Sequence, residues 1–457
     1  MSATIDALRR QTLAACVAAT CAAMAPAAPA TVRAPAAAIA SAPRVPASVV
    51  VANCNDGGSG SLRDAVNSAA SGDVIDLSQL DCSTISLTTG AIIIQQNDLH
   101  LVGPARSELT IDGSPTPGQS VLYHSGYGGL TVSGMTITGG TKYRVNGTAT
   151  GGCIHSYGSV SLEDVAVMHC SVTGNNASAL GGGVYARGEV YMLDSTVSYS
   201  HTRATGYASG GGVYALGGFI AKYSTVSHSY SYAATSTPSF GGGVFARGPV
   251  FITGTTISDN SAIRMGGIAM ADNNSYVATI VNSTISSNTA YLIGGAFARP
   301  RLNIYNSTIA FNHSYHWSDG AGHYFAAGLY ITTAGEMDST IISSNVNFDA
   351  PFPTADLTGA SGSGFNGGHN NVMFCGAPCP NDTSHDDPGL GPLQDNGGVT
   401  RTQVPTPGVW DTFGGTNVFN VSWDQRGPGF PRQTPPDFPE IGAIQINSDI
   451  IFVNGFN

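Results

Sequence analysis

The feature that most constrains the fold of this 457-residue chain is a glycine-rich phrase that recurs along its middle. It reads GGGVYARG from Gly181, and altered copies begin at Gly210, Gly241, Gly266 and Gly294. A second phrase, serine or threonine followed by Thr-Val or Thr-Ile, recurs between them, with its threonines at Thr196, Thr225, Thr256, Thr284, Thr308 and Thr340. These threonines lie 24 to 32 residues apart, and fixed periods of that size mark repeat architectures.

Each repeat contains short runs of β-forming residues, such as GVYAR, EVYML and STVSYS, separated by glycine, serine and asparagine. None of these runs has an apolar period of 3.6 residues, which argues against a helical solenoid. Only 10% of the residues are charged and 59 are glycine, a composition typical of a turn-rich β protein. The sequence therefore predicts an all-β fold, a right-handed parallel β-helix solenoid with a short N-terminal helical cap and an irregular C-terminal cap. Successive coils of such a solenoid pair at about 4.8 Å.

Two polar columns are expected at the corners of the coils. In successive coils the residue four places after the repeat threonine is Ser200, Ser229, Asn260, Asn288 and Asn312, and Cys170 takes the same place in an earlier coil. Stacked in register, these side chains would form a polar ladder. The residue two places before the threonine tolerates left-handed turn geometry, as at Asp194, Gly254, Asn282, Asn306 and Asp338. We therefore interpret Asp194 and Asp338 as turn residues rather than catalytic acids.

An aromatic stripe is predicted on one outer face of the solenoid. Strand alternation sends Val184 and Ala186 into the core and the intervening residues outward. The candidate ligand-binding stripe comprises Tyr157, Tyr185, Arg187, Tyr214, Phe245, Arg247, Phe297, Arg299 and Tyr330. Its rings could stack on sugars while its guanidinium groups pair with carboxylates. Stacked aromatic side chains also stabilise neighbouring coils, and the two interpretations do not exclude each other.

Six of the eight cysteines follow the N-terminal segment and fall into close pairs. We expect disulfides between Cys54 and Cys82, Cys153 and Cys170, and Cys375 and Cys379, since an even count in an exported chain favours them. A metal site at CGAPC is the alternative, but no second Cys/His pair stands at zinc-site spacing. The histidines His313, His316 and His323 are interpreted as loop residues, and no metal site is assigned.

The N-terminus has the pattern of an export signal. Arg9 and Arg10 precede an apolar run from Leu13 to Ala25, and small-residue cleavage triplets follow. We assign residues 1–30 to a signal peptide and 31–50 to an Ala/Pro-rich linker, and we expect a secreted or cell-surface monomer. The net charge of −11 argues against nucleic-acid partners, whose binding depends on cationic side chains. No later run approaches the roughly 20 apolar residues of a membrane span.

Several segments resemble known families. The phrases TISDNSAIRMGGIA and TISSNTAYLIGGAFA resemble the right-handed parallel β-helix (pectin-lyase-like) superfamily and polymorphic outer-membrane or adhesin-type repeats. The block CNDGGSGSLRDAVNSAASGDVIDLSQLDC is similar to the opening of exported bacterial β-helix proteins, whose GSLR-A segment forms a capping helix. These resemblances imply an N-terminal cap over 51–90 and β-helix repeats over 91–345.

The C-terminal segment HDDPGLGPLQDNGGVTRTQ, followed by DQRGPGFPR and PEIGAIQ, resembles the choice-of-anchor Q domain of bacterial surface and secreted proteins. We assign residues 346–457 to such a region. The sequence departs from that family at Thr406–Asp411, and no sorting tail follows Ile446. We therefore expect a protein that is released or held non-covalently.

Catalytic residues are not assigned. A lyase of the pectin-lyase-like fold would need acids for Ca2+ and a basic side chain, whereas the only lysines are Lys142 and Lys222 and no acidic cluster accompanies the arginines of the stripe. Glycosidases need a pair of carboxylates, and the adjacent acids Asp386 and Asp387 lie in a predicted turn. We expect a binding or adhesion role toward polysaccharide or a cell-surface glycan, without a cofactor. The alternatives are an extracellular polysaccharide lyase or glycoside hydrolase, and a structural spacer without ligand.

Overall fold

The computed structural model describes residues 45–234, 239–271, 276–316, 325–349, 356–376, 379–405, 414–433 and 439–446. The chain divides into a unit of residues 1–45 and a unit of residues 46–457, and every element below belongs to the second. The expected signal peptide and the linker up to residue 44 lie outside the described residues.

Within the described residues, 42 strands form three sheets, and every ladder between strands is parallel. Sheet 1 has 22 strands: Ser48–Val50, Val74–Asp76, Thr84–Ser86, Leu99–Val102, Thr110–Asp112, Gly129–Thr138, Ser159–Met168, Glu189–Leu193, Thr196–Ser198, Gly218–Lys222, Thr225–Ser227, Val250–Thr253, Thr256–Ser258, Val277–Val281, Thr284–Ser286, Arg301–Tyr305, Thr308–Ala310, Ala334–Asp338, Ile341–Ser343, Gly364–Asn366, Asn370–Val372 and Thr383–Ser384. Sheet 2 has ten: Ile92–Ile94, Leu122–His124, Ile154–Ser156, Val184–Ala186, Val213–Ala215, Val244–Ala246, Ile268–Met270, Ala296–Ala298, Leu329–Ile331 and Leu357–Gly359. Sheet 3 has ten: Thr141–Thr150, Ser171–Leu180, His201–Ala204, Ala208–Ser209, Tyr230–Ala233, Ser239–Phe240, Ser261–Ala262, Thr289–Ala290, His313–Ser314 and Val346–Asn347.

Each coil visits the three sheets in the same order. One coil runs from Val184–Ala186 in sheet 2, through Glu189–Leu193 and Thr196–Ser198 in sheet 1, to His201–Ala204 in sheet 3. The next glycine phrase then returns the chain to sheet 2. Since sheet 2 contributes one strand per coil, its ten strands count ten coils. The predicted parallel β-helix is confirmed.

The sequence phrases set the register of the coils. Val184 pairs with Val213, and Thr196 pairs with Thr225, so that equivalent residues of successive repeats stand directly above one another. The parallel ladders begin at Ser48 and continue to Ser384, and thus extend on both sides of the expected repeat range 91–345.

A narrow apolar core fills the inside of the solenoid. Inward residues such as Val184, Ala186 and Val213 are completely buried and belong to one continuous hydrophobic cluster. The predicted helical cap is also present, as a single helix over Leu62–Ser68. The side chain of Ser61 accepts a hydrogen bond from the N–H of Asp64, which satisfies one of the free donors of the first turn.

The predicted polar ladder joins the coils at the corner between sheets 1 and 3. The Nδ2 atoms of Asn260, Asn288 and Asn312 each donate to the Oδ1 of the next asparagine, over 3.0, 3.0 and 2.9 Å, and the last acceptor is Asn345. In the earlier coils Ser200 and Ser229 replace asparagine, and their hydroxyls accept backbone N–H groups from the preceding coil. These buried amides are therefore satisfied along the axis of the solenoid.

The second predicted column lies at corners with a left-handed backbone. The φ angles are 47°, 59°, 45° and 45° at Asp194, Gly254, Asn282 and Asn306. In the coil of Asp338 the prediction is wrong by one residue, because the positive φ of 50° falls on Ser339. Asp194 is thus a turn residue, as interpreted from the sequence.

An irregular segment packs against the outer face of sheet 1 and comprises the described residues 385–405, 414–433 and 439–446. Gln425 Nε2 donates to Thr256 Oγ1 over 2.9 Å, and Thr284 Oγ1 donates to Gln425 Oε1 over 2.6 Å. A backbone N–H of the same segment donates to Thr308 Oγ1. The three repeat threonines are buried as a result. The predicted irregular C-terminal cap is therefore present and covers the later coils.

The three predicted disulfides are all formed. They join Cys54 to Cys82, Cys153 to Cys170 and Cys375 to Cys379. The second closes a corner of one coil, with both sulfurs in the core cluster. Among the described residues, no helix has the length and apolar character needed to cross a membrane.

Candidate functional site

The outward residues of sheet 2 form a column of rings, which we call the aromatic column. In coil order, ladder pairing aligns Tyr123, His155, Tyr185, Tyr214, Phe245, Ala269, Phe297 and Tyr330. The first five rings stack with centroids 4.6, 5.2, 5.5 and 4.9 Å apart and planes within 14° of parallel. The in-register repeat thus places one ring on each coil, as strand alternation requires.

These rings project from the sheet but are mostly covered. Tyr185 is 8% exposed, and Tyr214 and Phe245 are each 6% exposed. They pack into a second apolar cluster, separate from the core, with residues of the neighbouring connections such as Leu292 and Ile293. Burial raises the pKa of the Tyr185 and Tyr214 phenols above the ordinary value, so both are neutral near pH 7. The rings therefore contribute as apolar faces rather than as acids or bases.

The aromatic column is interrupted at Ala269. This residue occupies the position of a ring between Phe245 and Phe297 and supplies only a methyl group there, which neighbouring apolar side chains cover. A cavity of about 420 Å³, which we call the slot, opens at this place. Since Phe245 and Phe297 are two coils apart, their backbones are separated by about 9.6 Å. The slot is lined by Tyr207, Tyr214, Phe240, Phe245, Arg247, Met265, Ala269, Ala271, Phe297 and Arg299.

One wall of the slot comes from connections that the sequence analysis missed. Phe240 and Met265 immediately precede glycine phrases and are paired across neighbouring coils by a parallel bridge, and Tyr207 lies in the connection before them. Burial raises the pKa of Tyr207 above the ordinary value. The signal that could have found this wall is a large apolar residue directly before the glycine phrase, as in SFGGG and RMGG.

A column of arginines runs beside the aromatic column, and two of its members, Arg247 and Arg299, line the slot. Arg187, Arg247 and Arg299 lie two residues after the rings of their coils and are exposed. No carboxylate of the described residues forms an ion pair with any of the three. Arg187 lies over the ring of Tyr157, 5.7 Å from its centroid. The guanidinium groups of this column are therefore available to an anionic ligand.

The slot gathers five of the nine residues of the predicted stripe: Tyr214, Phe245, Arg247, Phe297 and Arg299. Tyr157, Tyr185 and Arg187 lie on the same face in earlier coils, outside the slot. Tyr330 lies one coil beyond Phe297, and their ring centroids are 6.1 Å apart. The stripe thus runs along one face of the solenoid with a gap at Ala269, and the cavity occupies only part of it.

Groups suited to acid–base or metal chemistry lie elsewhere. None of the described residues that line the slot carries a carboxylate or an imidazole. Asp387 accepts the N–H of Gly389 and so has the turn role expected of it. His316 pairs with Asp349, and His323 lies outside the described residues. Across the described part of the chain, no three His, Cys, Asp or Glu side chains are grouped to hold a metal ion.

Comparison with known proteins gives a structural similarity. The fold is similar to that in the crystal structure of pectate lyase Pel9A, with 13% sequence identity, a TM-score of 0.44, and coverage of 88% of this chain and 97% of that chain. The similarity concerns the fold alone. No protein-family model matches the chain, and no curated relative matches it in sequence. The resemblance of the C-terminal region to a choice-of-anchor Q domain stays a prediction.

Proposed function

We propose that this chain is a secreted or cell-surface protein that binds acidic polysaccharide through the slot and the arginines on its rim. The observation that carries the proposal is the interruption of the aromatic column at Ala269. A continuous stack of rings would serve only to join coils. One missing ring, with Phe245 and Phe297 left facing each other, provides space for a ligand at a place where apolar faces are already present.

The size and chemistry of the slot fit a sugar. Its volume of about 420 Å³ lies within the range of small-molecule sites, and its walls are mainly aromatic. Sugar rings present C–H faces that pack on aromatic rings, whereas their hydroxyls remain in water. Arg247 and Arg299 stand at the rim, where a guanidinium group can form two parallel hydrogen bonds with a carboxylate. The ligand class that uses both features is a polysaccharide with acidic sugars.

One observation favours binding over cleavage, and a second favours a role outside the cell. Glycosidases of the usual kind place two carboxylates on either side of the scissile bond, and the described lining of the slot has none. The three disulfides suit an oxidising compartment, where they persist. Both fit an exported protein that holds a glycan.

The experiment that tests the proposal measures retention of purified protein on immobilised acidic and neutral polysaccharides over a range of salt concentrations. We expect retention on acidic polymers, and a loss of at least tenfold in affinity for the Arg247→Gln/Arg299→Gln double variant. Arg203→Gln is the matched control, because Arg203 is exposed on sheet 3 and lies over Tyr232, away from the slot. Equal retention of the double variant would contradict the proposal. The appearance of unsaturated uronate or new reducing ends would instead identify an enzyme.

A further inference from the structure

The arginines of the stripe stand on alternate coils. The column two residues after the rings reads Arg187, Leu216, Arg247, Ala271 and Arg299 in successive coils. The backbone ladder continues through this column, since the N–H of each of these residues donates to a carbonyl of the preceding coil. The side chains are therefore in register along the axis. Adjacent arginines are separated by two coils, or about 9.6 Å.

The coils between the arginines present apolar side chains. Leu216 packs against the cluster of rings, and Ala271 lines the slot. A carboxylate at the level of Leu216 or Ala271 has no guanidinium group on its own coil, whereas a carboxylate at the level of an arginine does. An anionic group is favoured at every second coil, and an uncharged group is favoured at the coils between. The slot opens at the level of Ala269 and Ala271, and Arg247 and Arg299 of the two adjacent coils also line it.

From this alternation we propose a substrate class, which rests on the function proposed above: a linear polysaccharide in which an acidic sugar alternates with an uncharged one. In an extended chain, one pyranose residue is about as long as one coil is tall. A chain that lies along the axis therefore presents one sugar to each coil. Its acidic sugars meet Arg187, Arg247 and Arg299, and its uncharged sugars meet Leu216 and Ala271.

The slot indicates what the uncharged sugar carries. The rings on either side of it, Phe245 and Phe297, have planes that continue the direction of the stack, because Phe245 lies within 10° of Tyr214 and Phe297 within 10° of Tyr330. A planar substituent that enters the slot in the same orientation takes the position of the missing ring. An acetamido group is planar, short and uncharged, and its methyl group suits the apolar lining of the slot. The uncharged sugar is thus an N-acetylhexosamine.

The test compares oligosaccharides of equal length in a calorimetric titration: hyaluronan, which alternates glucuronate with N-acetylglucosamine; polygalacturonate, in which every sugar is acidic; and chitin, which has no acidic sugar. We expect hyaluronan to bind at least tenfold more tightly than chitin. We also expect it to bind no more weakly than polygalacturonate, although it carries half as many charges. Leu216→Arg supplies the missing cation between Arg187 and Arg247, and should raise the affinity for polygalacturonate about threefold, the effect of one exposed ion pair, without raising that for hyaluronan. Leu216→Gln is the matched uncharged control.

The outcomes separate this inference from the one on which it rests. Tighter binding of polygalacturonate than of hyaluronan, with Leu216→Arg raising both affinities alike, would show that charge density alone decides. That result would overturn the alternating polymer and leave the binding of acidic polysaccharide intact. Binding of hyaluronan that is no stronger than that of chitin would overturn it as well. If no acidic oligosaccharide binds, the function proposed above fails and this inference fails with it.

Discussion

Phe245 and Phe297 each have an aromatic neighbour on one side and the slot on the other. Phe245 stacks on Tyr214 with ring centroids 4.9 Å apart, and Phe297 stacks on Tyr330 at 6.1 Å. Ala269, which pairs with both across the sheet 2 ladder, is 1% exposed and supplies only a methyl group between them. Two stacks of rings thus end face to face, and this arrangement makes a change at Ala269 informative.

Filling the slot should separate binding from folding. In Ala269→Phe a phenyl ring takes the space between Phe245 and Phe297 and completes the stack. We expect retention on acidic polysaccharide to be lost, and the free energy of unfolding to fall by no more than about 1–3 kcal/mol, the usual cost of a larger side chain at a buried position. Chemical denaturation and the retention assay measure the two quantities.

Ile93→Phe is the control for that substitution. Ile93 belongs to the same outward column, pairs with Tyr123 and is exposed, so the new ring extends the stack far from the slot. Its glycan retention should match that of the wild type. Undiminished retention in Ala269→Phe would show that the slot does not hold the ligand.

The asparagine ladder should carry a measurable part of the stability. Asn288 Oδ1 accepts from both the backbone N–H and the Nδ2 of Asn260, and its own Nδ2 donates to Asn312 Oδ1. Asn288→Ala leaves the buried backbone N–H of Asn260 without its partner and removes one of two hydrogen bonds from Asn260 Nδ2 and from Asn312 Oδ1, and we expect a loss of about 2–4 kcal/mol in the free energy of unfolding. The exposed Asn366 provides a control, since Asn366→Ala should change stability by less than about 0.5 kcal/mol. A similar small change in both variants would argue against a stabilising ladder.

His155 should make the fold sensitive to acid. It is stacked between Tyr123 and Tyr185, and burial, with the nearby charges of Lys142 and His124, lowers its pKa from 6.5 to about 4. Because the folded pKa lies below the unfolded one, the neutral ring contributes stability that is present above pH 6.5 and is lost as the pH falls toward 4. The difference is worth about 3 kcal/mol.

His155→Phe keeps a ring in the stack and cannot be protonated. The free energy of unfolding of the wild type, measured relative to this variant, should therefore fall as the pH is lowered through that window. The exposed His100 gives the comparison, and His100→Gln should follow the wild type at every pH. A constant difference between wild type and His155→Phe would contradict a buried neutral imidazole.

Much of this architecture follows from local patterns. The repeat threonines Thr196 and Thr225, and the rings Tyr185 and Tyr214, pair as the periodicity and the strand alternation indicate. Repetition is informative because each repeat occupies the same environment as the one before it. A gap in a repeated column, such as Ala269, is also visible in the sequence once the register is known.

The rest depends on contacts that local patterns do not contain. The hydrogen bond between Thr284 and Gln425 joins residues 141 positions apart, so the burial of the later repeat threonines beneath the cap has no local signature. The wall of Phe240 and Met265 lies in connections of variable length. Its packing against the rings explains why most rings of the predicted stripe are buried, although the arginines of the stripe are exposed.

Asp356 accepts from the last asparagine of the polar ladder, Asn345, and should give the stability a pH dependence opposite in sign to that expected from His155. Asp356 Oδ1 accepts from the N–H and Nδ2 of Asn345, each over 2.8 Å, and Oδ2 accepts from the N–H of Phe374 over 3.0 Å. Burial raises the pKa of this carboxyl from 3.8 to about 7, against the effect of these donors. Because the folded pKa lies above the unfolded one, its contribution to stability is complete below pH 3.8 and is lost as the pH rises toward 7.

In Asp356→Asn, which has no charge to bury, this loss disappears, so the stability of the wild type relative to the variant should fall by about 2–4 kcal/mol across that window. Chemical denaturation at a series of pH values measures this difference in the free energy of unfolding, and Asp81→Asn is the exposed control. An increase in the stability of the wild type relative to Asp356→Asn as the pH rises would show that the three donors hold the carboxylate ionised.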